Sequence, residues 1–264
     1  MERQYRSRTV IIGAGNVATH LARRLDATTD VVAVWSRKLD HAEALSSTLR
    51  NARATDNVDE VPRDADFYII SVVDDHIADV ARRLGVVDGI VAHTSGSFPL
   101  EGLRQACGAT RCGVFYPLQT FSKTTEVDTD HIPFFIEGTD AATIDALAGL
   151  ATSVSDNVHR VDSSVRGHLH IAAVFANNFA NYMWDIADSY LKEHTDFDIR
   201  VFAPLLTETL RKAMAVGPRA AQTGPAKRGD REIIDKHIAA LADGDAEIYR
   251  LISNSIIEKH KTNE

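Results

Sequence analysis

A glycine-rich turn near the start of the chain has the residue types and spacing that hold a pyrophosphate. It reads Gly-Ala-Gly-Asn-Val-Ala over residues 13–18 and fits the pattern G-x-G-x-x-A. The first glycine permits a tight turn, the second lets the backbone approach a phosphate, and the alanine allows close helix–strand packing. The helix N-terminus adds unpaired N–H groups. The predicted cofactor contacts are Gly13, Ala14, Gly15, Asn16, Val17 and Ala18. The alternative is a glycine corner that binds nothing.

The end of the second predicted strand indicates which dinucleotide binds. An NAD site commonly has Asp or Glu at this point, but the chain reads Trp35-Ser36-Arg37-Lys38. A hydroxyl followed by two cations suits the additional ribose phosphate of NADP. We therefore predict NADP as the cofactor, with Ser36, Arg37 and Lys38 as its ligands. The alternative is a solvated, charged turn.

Polar residues follow three further predicted strands, whose carboxyl ends should line the same crevice. The predicted cofactor contacts there are Ser71, Val72, Asp74 and Thr94, and the predicted substrate contacts are Ser95, Gln119 and Thr120. Asp74 has the alternative role of capping the next helix. His93 is a candidate proton donor, because histidine titrates near neutral pH.

A second polar group lies in a long helical pattern in the C-terminal part of the chain. Offsets of 7 and 11 residues put His170, Asn177 and Asn181 on one face of an α-helix. The neighbouring Ile, Ala, Val and Phe indicate a helix buried nearly all round, so these polar groups need partners. We predict that His170 donates a proton and that the two asparagines orient a substrate. The alternative is hydrogen bonding between helices.

The elements that must position these residues alternate between strand and helix as far as residue 161. The predicted strands are 9–12, 31–35, 66–73, 89–93, 111–116, 132–136 and 157–161, and the predicted helices between them are 16–25, 41–49, 76–84, 100–107 and 140–152. Short apolar strands between amphipathic helices predict an α/β fold, a doubly wound and mostly parallel Rossmann sheet. The remaining pattern is entirely helical, over 163–194, 198–216, 230–242 and 245–259. We therefore predict an NADP-binding domain over 1–161 and an all-helical domain over 162–264.

Composition limits the partners that the chain can have. Its 264 residues carry a net charge of −8, which argues against nucleic acid or an anionic membrane as a partner. No signal peptide or membrane-spanning pattern is present, and the two cysteines form no disulfide framework, so a cytoplasmic protein is expected. The pair His168 and His170 lacks further ligands at a suitable spacing, and we predict no metal site.

Several separate motifs carry a resemblance that spans nearly the whole chain. They are IIGAGNVATHLA, HTSGS, FYPLQTF, IPFFIEG, HLHIAAVFANNF and AQTGPAKRGD. Together they resemble a bacterial family that joins a Rossmann-like domain to a C-terminal domain of unknown function. The wider group includes pyrroline-5-carboxylate reductase, 6-phosphogluconate and 3-hydroxyacid dehydrogenases, and deazaflavin-dependent NADP oxidoreductases. The resemblance implies this fold and NADP, but it implies no substrate.

The chain departs from these relatives at some catalytic positions. 3-Hydroxyacid dehydrogenases have a catalytic lysine four residues before an asparagine of the long helix, whereas this chain has Ala173 and Val174 there. Prephenate dehydrogenases have His-Pro-Met where this chain reads Tyr116-Pro117-Leu118. A loop that holds substrate carboxylate in pyrroline-5-carboxylate reductase implies substrate contacts at Thr223 and Arg228. Capping of the next helix by Asp230 is the alternative role for this loop.

The expected function is an oxidoreductase in which NADPH delivers hydride to a C=O or C=N of a small polar metabolite held between the domains. One alternative is a non-enzymatic NADP-binding sensor or scaffold. Two others are ketopantoate-like reduction of a 2-oxo acid and reduction with a deazaflavin partner. The largely apolar long helix also predicts a homodimer formed through the helical domain.

Overall fold

The computed structural model describes residues 6–108, 111–125 and 127–261. Its centre is one eight-stranded sheet with the order β3-β2-β1-β4-β5-β6-β7-β8. All neighbouring strands are parallel except β6 and β7. The strands are β1 (Arg8–Ile12), β2 (Asp30–Trp35), β3 (Arg53–Thr55), β4 (Phe67–Ile70), β5 (Ile90–His93), β6 (Cys112–Pro117), β7 (Phe134–Gly138) and β8 (Val158–Arg160). The predicted Rossmann-type α/β fold is therefore confirmed.

The helices alternate with the strands and then continue without them. They are α1 (Asn16–Thr28), α2 (Leu39–Ser46), α3 (Ile77–Leu84), α4 (Leu100–Cys107), α5 (Ala141–Thr152), α6 (Ser163–Ala173), α7 (Ala180–His194), α8 (Ala203–Val216), α9 (Pro218–Ala221), α10 (Pro225–Arg228), α11 (Arg231–Ala239) and α12 (Asp243–Lys261). Short 3₁₀ turns are formed by Val58–Glu60, Asp74–His76 and Ile199–Phe202. Strand β3 was not predicted, because three residues with one exposed arginine give no apolar run.

Both faces of the sheet are covered, which explains why its central strands are continuously apolar. One apolar cluster joins the sheet to α1, α2 and α5, and it contains Leu21, Leu45 and Leu147. The other joins it to α3 and α4 through Ile77 and Leu103. All four residues of β4 are buried, as are all four of β5. The carboxyl ends of these strands are thereby fixed by packing on both sides.

The chain divides into two compact units, residues 1–177 and 178–264. We call them the Rossmann unit and the helical unit. The predicted boundary at 161 coincides with the end of the strand pattern at β8, and as a functional division it stays a prediction. Helices α6 and α7 flank a π-helical stretch, Val174–Phe179, within which the two units divide.

The prediction that the long helical segment is buried nearly all round is wrong for the single chain. Ile171 is 58% exposed and Phe175 67% exposed, and Asn177 is exposed as well. Apolar composition alone does not show whether a helix is covered by the rest of its own chain or is exposed on the surface of that chain.

Candidate functional site

The glycine turn has the conformation that its sequence predicts. Gly13 lies between β1 and α1 with φ +125°, a region that L-residues rarely adopt. A Cβ atom built on Gly13 would lie 2.1 Å from the carbonyl oxygen of Ser71. The Gly13 N–H donates to the carbonyl of Trp35 at 2.8 Å, which ties the turn to β2. Only glycine fits this position.

The first turn of α1 offers a site for an anion. The helix begins at Asn16, and its cap residue Gly15 supplies no side-chain hydrogen bond to the free N–H groups. A Cβ atom built on Gly15 would meet no atom within 4 Å, so there is open space above this end of the helix. Ala18 is fully buried against the sheet. These features fit the pyrophosphate of a dinucleotide.

The cofactor residues predicted after β4 and β5 lie beside this turn. Ser71 N–H donates to the carbonyl of Ile12 at 2.7 Å, and a Val72 methyl group lies 3.3 Å from the position of a Cβ on Gly13. The hydroxyl of Thr94 donates to that of Ser71 at 3.2 Å. The structure therefore brings Ser71, Val72 and Thr94 next to the glycine turn.

The predicted ribose-phosphate residues lie at the end of β2. Ser36 is buried, and its N–H donates to the carbonyl of Thr55 on β3 at 3.1 Å. Arg37 and Lys38 are exposed. Arg37 Nη1 lies 3.2 Å from His76 Nε2, and sequence reasoning did not select this histidine.

Asp74 stabilises the neighbouring turn. Its carboxylate accepts hydrogen bonds from the hydroxyls of Ser95, at 2.7 Å, and of Ser97. The Ser95 hydroxyl also accepts from the N–H groups of Ser97 and Phe98, at 3.0 and 2.9 Å. Because this hydroxyl donates its only proton to Asp74, the predicted role of Ser95 as a substrate ligand is not retained.

His93 has surroundings that oppose protonation. Its side chain is fully buried, its Nδ1 accepts from the Ser95 N–H at 3.1 Å, and its ring packs edge-on against Phe98. Burial, with the nearby positive charge of Arg166, lowers the pKa of His93 from 6.5 to about 3. The ring therefore does not titrate near neutral pH, which is the property on which the prediction depended. The prediction that His93 is a proton donor is therefore corrected.

His170 pairs with a tyrosine that sequence reasoning did not select. Its Nδ1 lies 3.1 Å from the hydroxyl oxygen of Tyr116, near the end of β6. Burial raises the pKa of the Tyr116 phenol. A Cβ atom on Gly96 would lie 2.5 Å from His170 Nδ1 and 2.8 Å from Tyr116 Cζ, so the turn after β5 packs directly on this pair. The signal in the sequence that could have revealed this tyrosine is its position at the end of a predicted strand.

A buried arginine, also not predicted, fixes this arrangement. Arg166 lies one turn before His170 on α6 and is fully buried. Its Nη1 donates to the carbonyl of Ser95 at 3.0 Å, and its Nη2 donates to Glu137 on β7 at 3.3 Å and to the Ser163 hydroxyl at 3.0 Å. The guanidinium thus links α6, β7 and the turn that contacts His170. A single arginine in a helical pattern gives no signal of such burial.

The remaining predicted residues are not brought into this cluster by any described contact. Gln119 and Thr120 are exposed beyond β6, where the side-chain Oε1 of Gln119 accepts from the Thr120 N–H at 2.8 Å. Because Val174–Phe179 is π-helical, the constant period that placed Asn177 and Asn181 on the face of His170 does not hold. That geometric grouping is corrected.

The predicted loop of the helical unit is exposed at Thr223 and Arg228. Thr223 lines a largely apolar cavity of about 550 Å³ within this unit. Asp230 caps α11, and its carboxylate accepts from the Ile233 N–H at 3.3 Å. The alternative role of this loop, helix capping, is thus present in the structure.

The strand, the glycine turn and the open helix N-terminus together define a Rossmann-type dinucleotide-binding protein. Residues 8–92 match a family described as NADP oxidoreductase, coenzyme F420-dependent. Residues 132–256 match a domain of unknown function, DUF2520. No curated protein sequence matches the chain.

Solved structures support the same assignment. A putative NADP oxidoreductase from Bacteroides fragilis is 38% identical, with a TM-score of 0.89, over 96% of this chain and 98% of that one. A Thermotoga maritima protein is 20% identical, with a TM-score of 0.68, over 96% and 98% of the two chains. A reductive aminase from Aspergillus terreus, solved with NADPH and ethyl levulinate, is 16% identical, with a TM-score of 0.68, over 96% and 95%. The last two likenesses show the fold alone.

The chain belongs to the family of NADP oxidoreductases that join this Rossmann domain to a DUF2520 domain. Its cofactor class is NADP, as predicted from Ser36, Arg37 and Lys38 at the end of β2. Membership assigns the chain to the oxidoreductases rather than to NADP-binding proteins without activity. Within the described ranges 6–108, 111–125 and 127–261, no helix combines the length and apolar character needed to cross a bilayer.

Proposed function

We propose that this protein uses NADPH to reduce a C=O or C=N bond of a small polar metabolite. The observation that carries the proposal is the Tyr116–His170 pair near the end of β6, packed on the turn after β5. In a Rossmann sheet, ligands bind outside the carboxyl ends of the strands, so a proton-holding pair at this edge is suitably placed for reduction. When bound, NADPH supplies the hydride, and the side chains must supply the proton.

His170 is the proton donor in this proposal, and Tyr116 sets its tautomer. The raised pKa of Tyr116 keeps the phenol protonated at neutral pH, so its O–H donates to His170 Nδ1. A neutral imidazole that accepts at Nδ1 carries its hydrogen on Nε2. The Nε2–H is then the group available to a substrate oxygen or nitrogen.

The other roles follow from location. The residues proposed to bind the pyrophosphate and nearby parts of NADP are Gly13, Ala14, Gly15, Asn16, Val17, Ala18, Ser71, Val72 and Thr94, with Asp74 positioning the adjoining turn. The residues proposed for the ribose phosphate are Ser36, Arg37 and Lys38. Gln119, Thr120, Asn177, Asn181, Thr223 and Arg228 are retained as candidate substrate ligands.

We also propose a homodimer formed through the helical unit. Large apolar side chains on this unit are exposed in the single chain. They include Phe197 at 61%, Leu205 at 60%, Leu210 at 62% and Met214 at 72%. Large exposed apolar patches mark protein interaction sites, and these side chains are proposed to form one. We propose that a second copy of the chain covers these side chains.

The test is a panel of small aldehydes, ketones, 2-oxo acids and cyclic imines, with NADPH oxidation as the readout. Electron exchange with a deazaflavin is a second candidate, favoured by the family description that matches residues 8–92, so the panel includes coenzyme F420. On the substrate found, His170→Gln should lower turnover at least about a hundredfold, the loss expected for a general acid.

His168→Gln is the matched control, because His168 is exposed and lies two residues away on the same helix. This control should keep wild-type turnover. Equal turnover in wild type and His170→Gln would remove the proposed role of His170. NADPH oxidation with no member of the panel would contradict the proposed substrate class.

A further inference from the structure

Two loops meet at the carboxyl edge of the sheet through Arg37 and His76. Arg37 follows β2, and His76 ends the 3₁₀ turn Asp74–His76 that follows β4. Arg37 Nη1 and His76 Nε2 are 3.2 Å apart. Because a guanidinium only donates, His76 accepts at Nε2 in this contact. The loop after β4 thus brings a second basic side chain to the predicted ribose-phosphate residues.

The loop that carries His76 also contacts the pyrophosphate turn. At its start, Val72 packs on Gly13. In its middle, the carboxylate of Asp74 is bound to the hydroxyls of Ser95 and Ser97, so this acid does not pair with Arg37. At its end, His76 reaches Arg37. The loop therefore extends from the phosphate-binding turn to the end of β2.

The charge around this contact favours an anion. Among the described residues, neither Arg37 nor Lys38 has a carboxylate within ion-pairing distance. Arg37 instead donates to a neutral nitrogen, which is a weaker acceptor than a charged oxygen. A phosphate placed between the two side chains would accept from both, since an imidazole ring N–H and the guanidinium N–H groups are all donors.

We infer that Arg37 and His76 hold the 2′-phosphate of NADP from two sides, which makes His76 a residue that determines cofactor specificity. The inference rests on the proposed placement of NADP at the glycine turn. It assigns part of the selectivity for NADP over NAD to the loop after β4, whereas the sequence alone indicated only the end of β2.

The experiment measures equilibrium binding rather than turnover. Four probes are titrated: NADPH, NADH, adenosine 2′,5′-bisphosphate and 5′-AMP. The variants are His76→Gln, His76→Lys and Arg37→Gln, and thermal melting checks that each variant is folded. His159→Gln is the control, because His159 is an exposed histidine on the edge strand β8.

The inference predicts a loss restricted to probes that carry the 2′-phosphate. His76→Gln should bind NADPH and the bisphosphate about five- to tenfold more weakly, the value of one charge-assisted hydrogen bond at a partly exposed site. NADH and 5′-AMP should change by less than about twofold, and Arg37→Gln should lose at least about tenfold on the phosphorylated probes. His76→Lys should keep the preference for NADPH, because the lysine ammonium can also donate to the 2′-phosphate.

Any other result contradicts the inference, and the pattern of nucleotide affinities shows which part of it is wrong. Unchanged NADPH affinity in His76→Gln removes His76 from the phosphate site and leaves the glycine turn in place. An equal loss for NADH and NADPH assigns His76 to the shape of the loop instead. A wild-type protein that binds neither NADPH nor NADH contradicts the proposed function itself, together with this inference.

Discussion

The Rossmann unit and the helical unit differ in how completely each buries its own apolar side chains. In the Rossmann unit, apolar residues are buried on both faces of the sheet, and the buried Arg166 donates hydrogen bonds through both of its terminal nitrogens. In the helical unit, the buried cluster is small, with Ala226, Ile234 and Ile257, while many large apolar side chains are exposed. The Rossmann unit therefore buries a large core of its own, whereas many apolar side chains of the helical unit are exposed in the single chain.

The largest effect that tests this comparison is expected at Arg166. Arg166→Met leaves Glu137 partly buried without its cation and frees the Ser95 carbonyl, so we expect a loss of about 3–5 kcal/mol in the free energy of unfolding. The exposed Arg200–Asp198 pair of the helical unit is the matched control, and Arg200→Met should lower the free energy of unfolding far less than Arg166→Met, because exposed ion pairs contribute little. Denaturant unfolding of both variants measures the difference. Equal losses in the free energy of unfolding would contradict the expected difference between the buried and the exposed arginine.

A smaller effect is expected from the titration of His93. Its pKa is about 3 in the folded protein and 6.5 as the ordinary value, so protonation favours the unfolded chain. Its contribution is complete above pH 6.5 and is lost as the pH falls towards 3, with a slope of about 1.4 kcal/mol per pH unit. His93→Gln should therefore have a shallower loss of stability on acidification than wild type, measured by denaturant unfolding at pH 4–6.5.

His131 provides a control of opposite sign. Asp156 raises the pKa of this exposed histidine, so its contribution is present at low pH and lost as the pH rises through its folded pKa. His131→Gln should not reduce the acid-side slope. A His93→Gln variant with the full wild-type slope would contradict the buried, neutral state of His93.

The smallest effect on stability is expected from charges on the exposed apolar surface of the helical unit. Leu210→Glu should change the free energy of unfolding of the monomer by less than about 0.5 kcal/mol, because the side chain packs little within its own chain. The same change should dissociate the proposed homodimer in sedimentation experiments. Val86→Glu, at a 76% exposed apolar residue of the Rossmann unit, should leave the oligomeric state unchanged. A wild-type protein that sediments as a monomer would contradict the proposed dimer.

The sequence predicted the elements that local patterns determine. The apolar run Phe67–Ile70, the helix Leu100–Cys107 and the turn at Gly13 all lie where they were expected. It could not predict the π-helical stretch Val174–Phe179, which changes the helical period on which the grouping of His170 with Asn177 depended.

The sequence indicated candidate site residues only where a residue type in a given pattern has one common function. The glycine turn and the cations at the end of β2 have such uses, and the family assignment agrees with the cofactor that they predicted. Tyr116, Arg166 and His76 have hydrogen-bond partners 54, 71 and 39 residues away along the chain, so no local spacing reveals them. The burial of His93 likewise depends on the fold, which places its strand within the sheet and its ring against Phe98.

The central claim is that the first turn of α1 holds the phosphates of NADP, and the substitution Gly15→Asp tests it most directly. Gly15 has an ordinary φ of −79° and open space around a Cβ atom, so the variant should fold, and aspartate is a favourable helix cap. Its carboxylate would occupy the free N–H groups and repel phosphate. Gly244→Asp, in the first turn of α12, is the matched control.

The measurement is an equilibrium titration with NADPH, with thermal melting of each variant alongside. The account predicts that wild type and Gly244→Asp bind NADPH, while Gly15→Asp binds at least about a hundredfold more weakly at unchanged thermal stability. Gly15→Asp with wild-type affinity for NADPH would contradict the account.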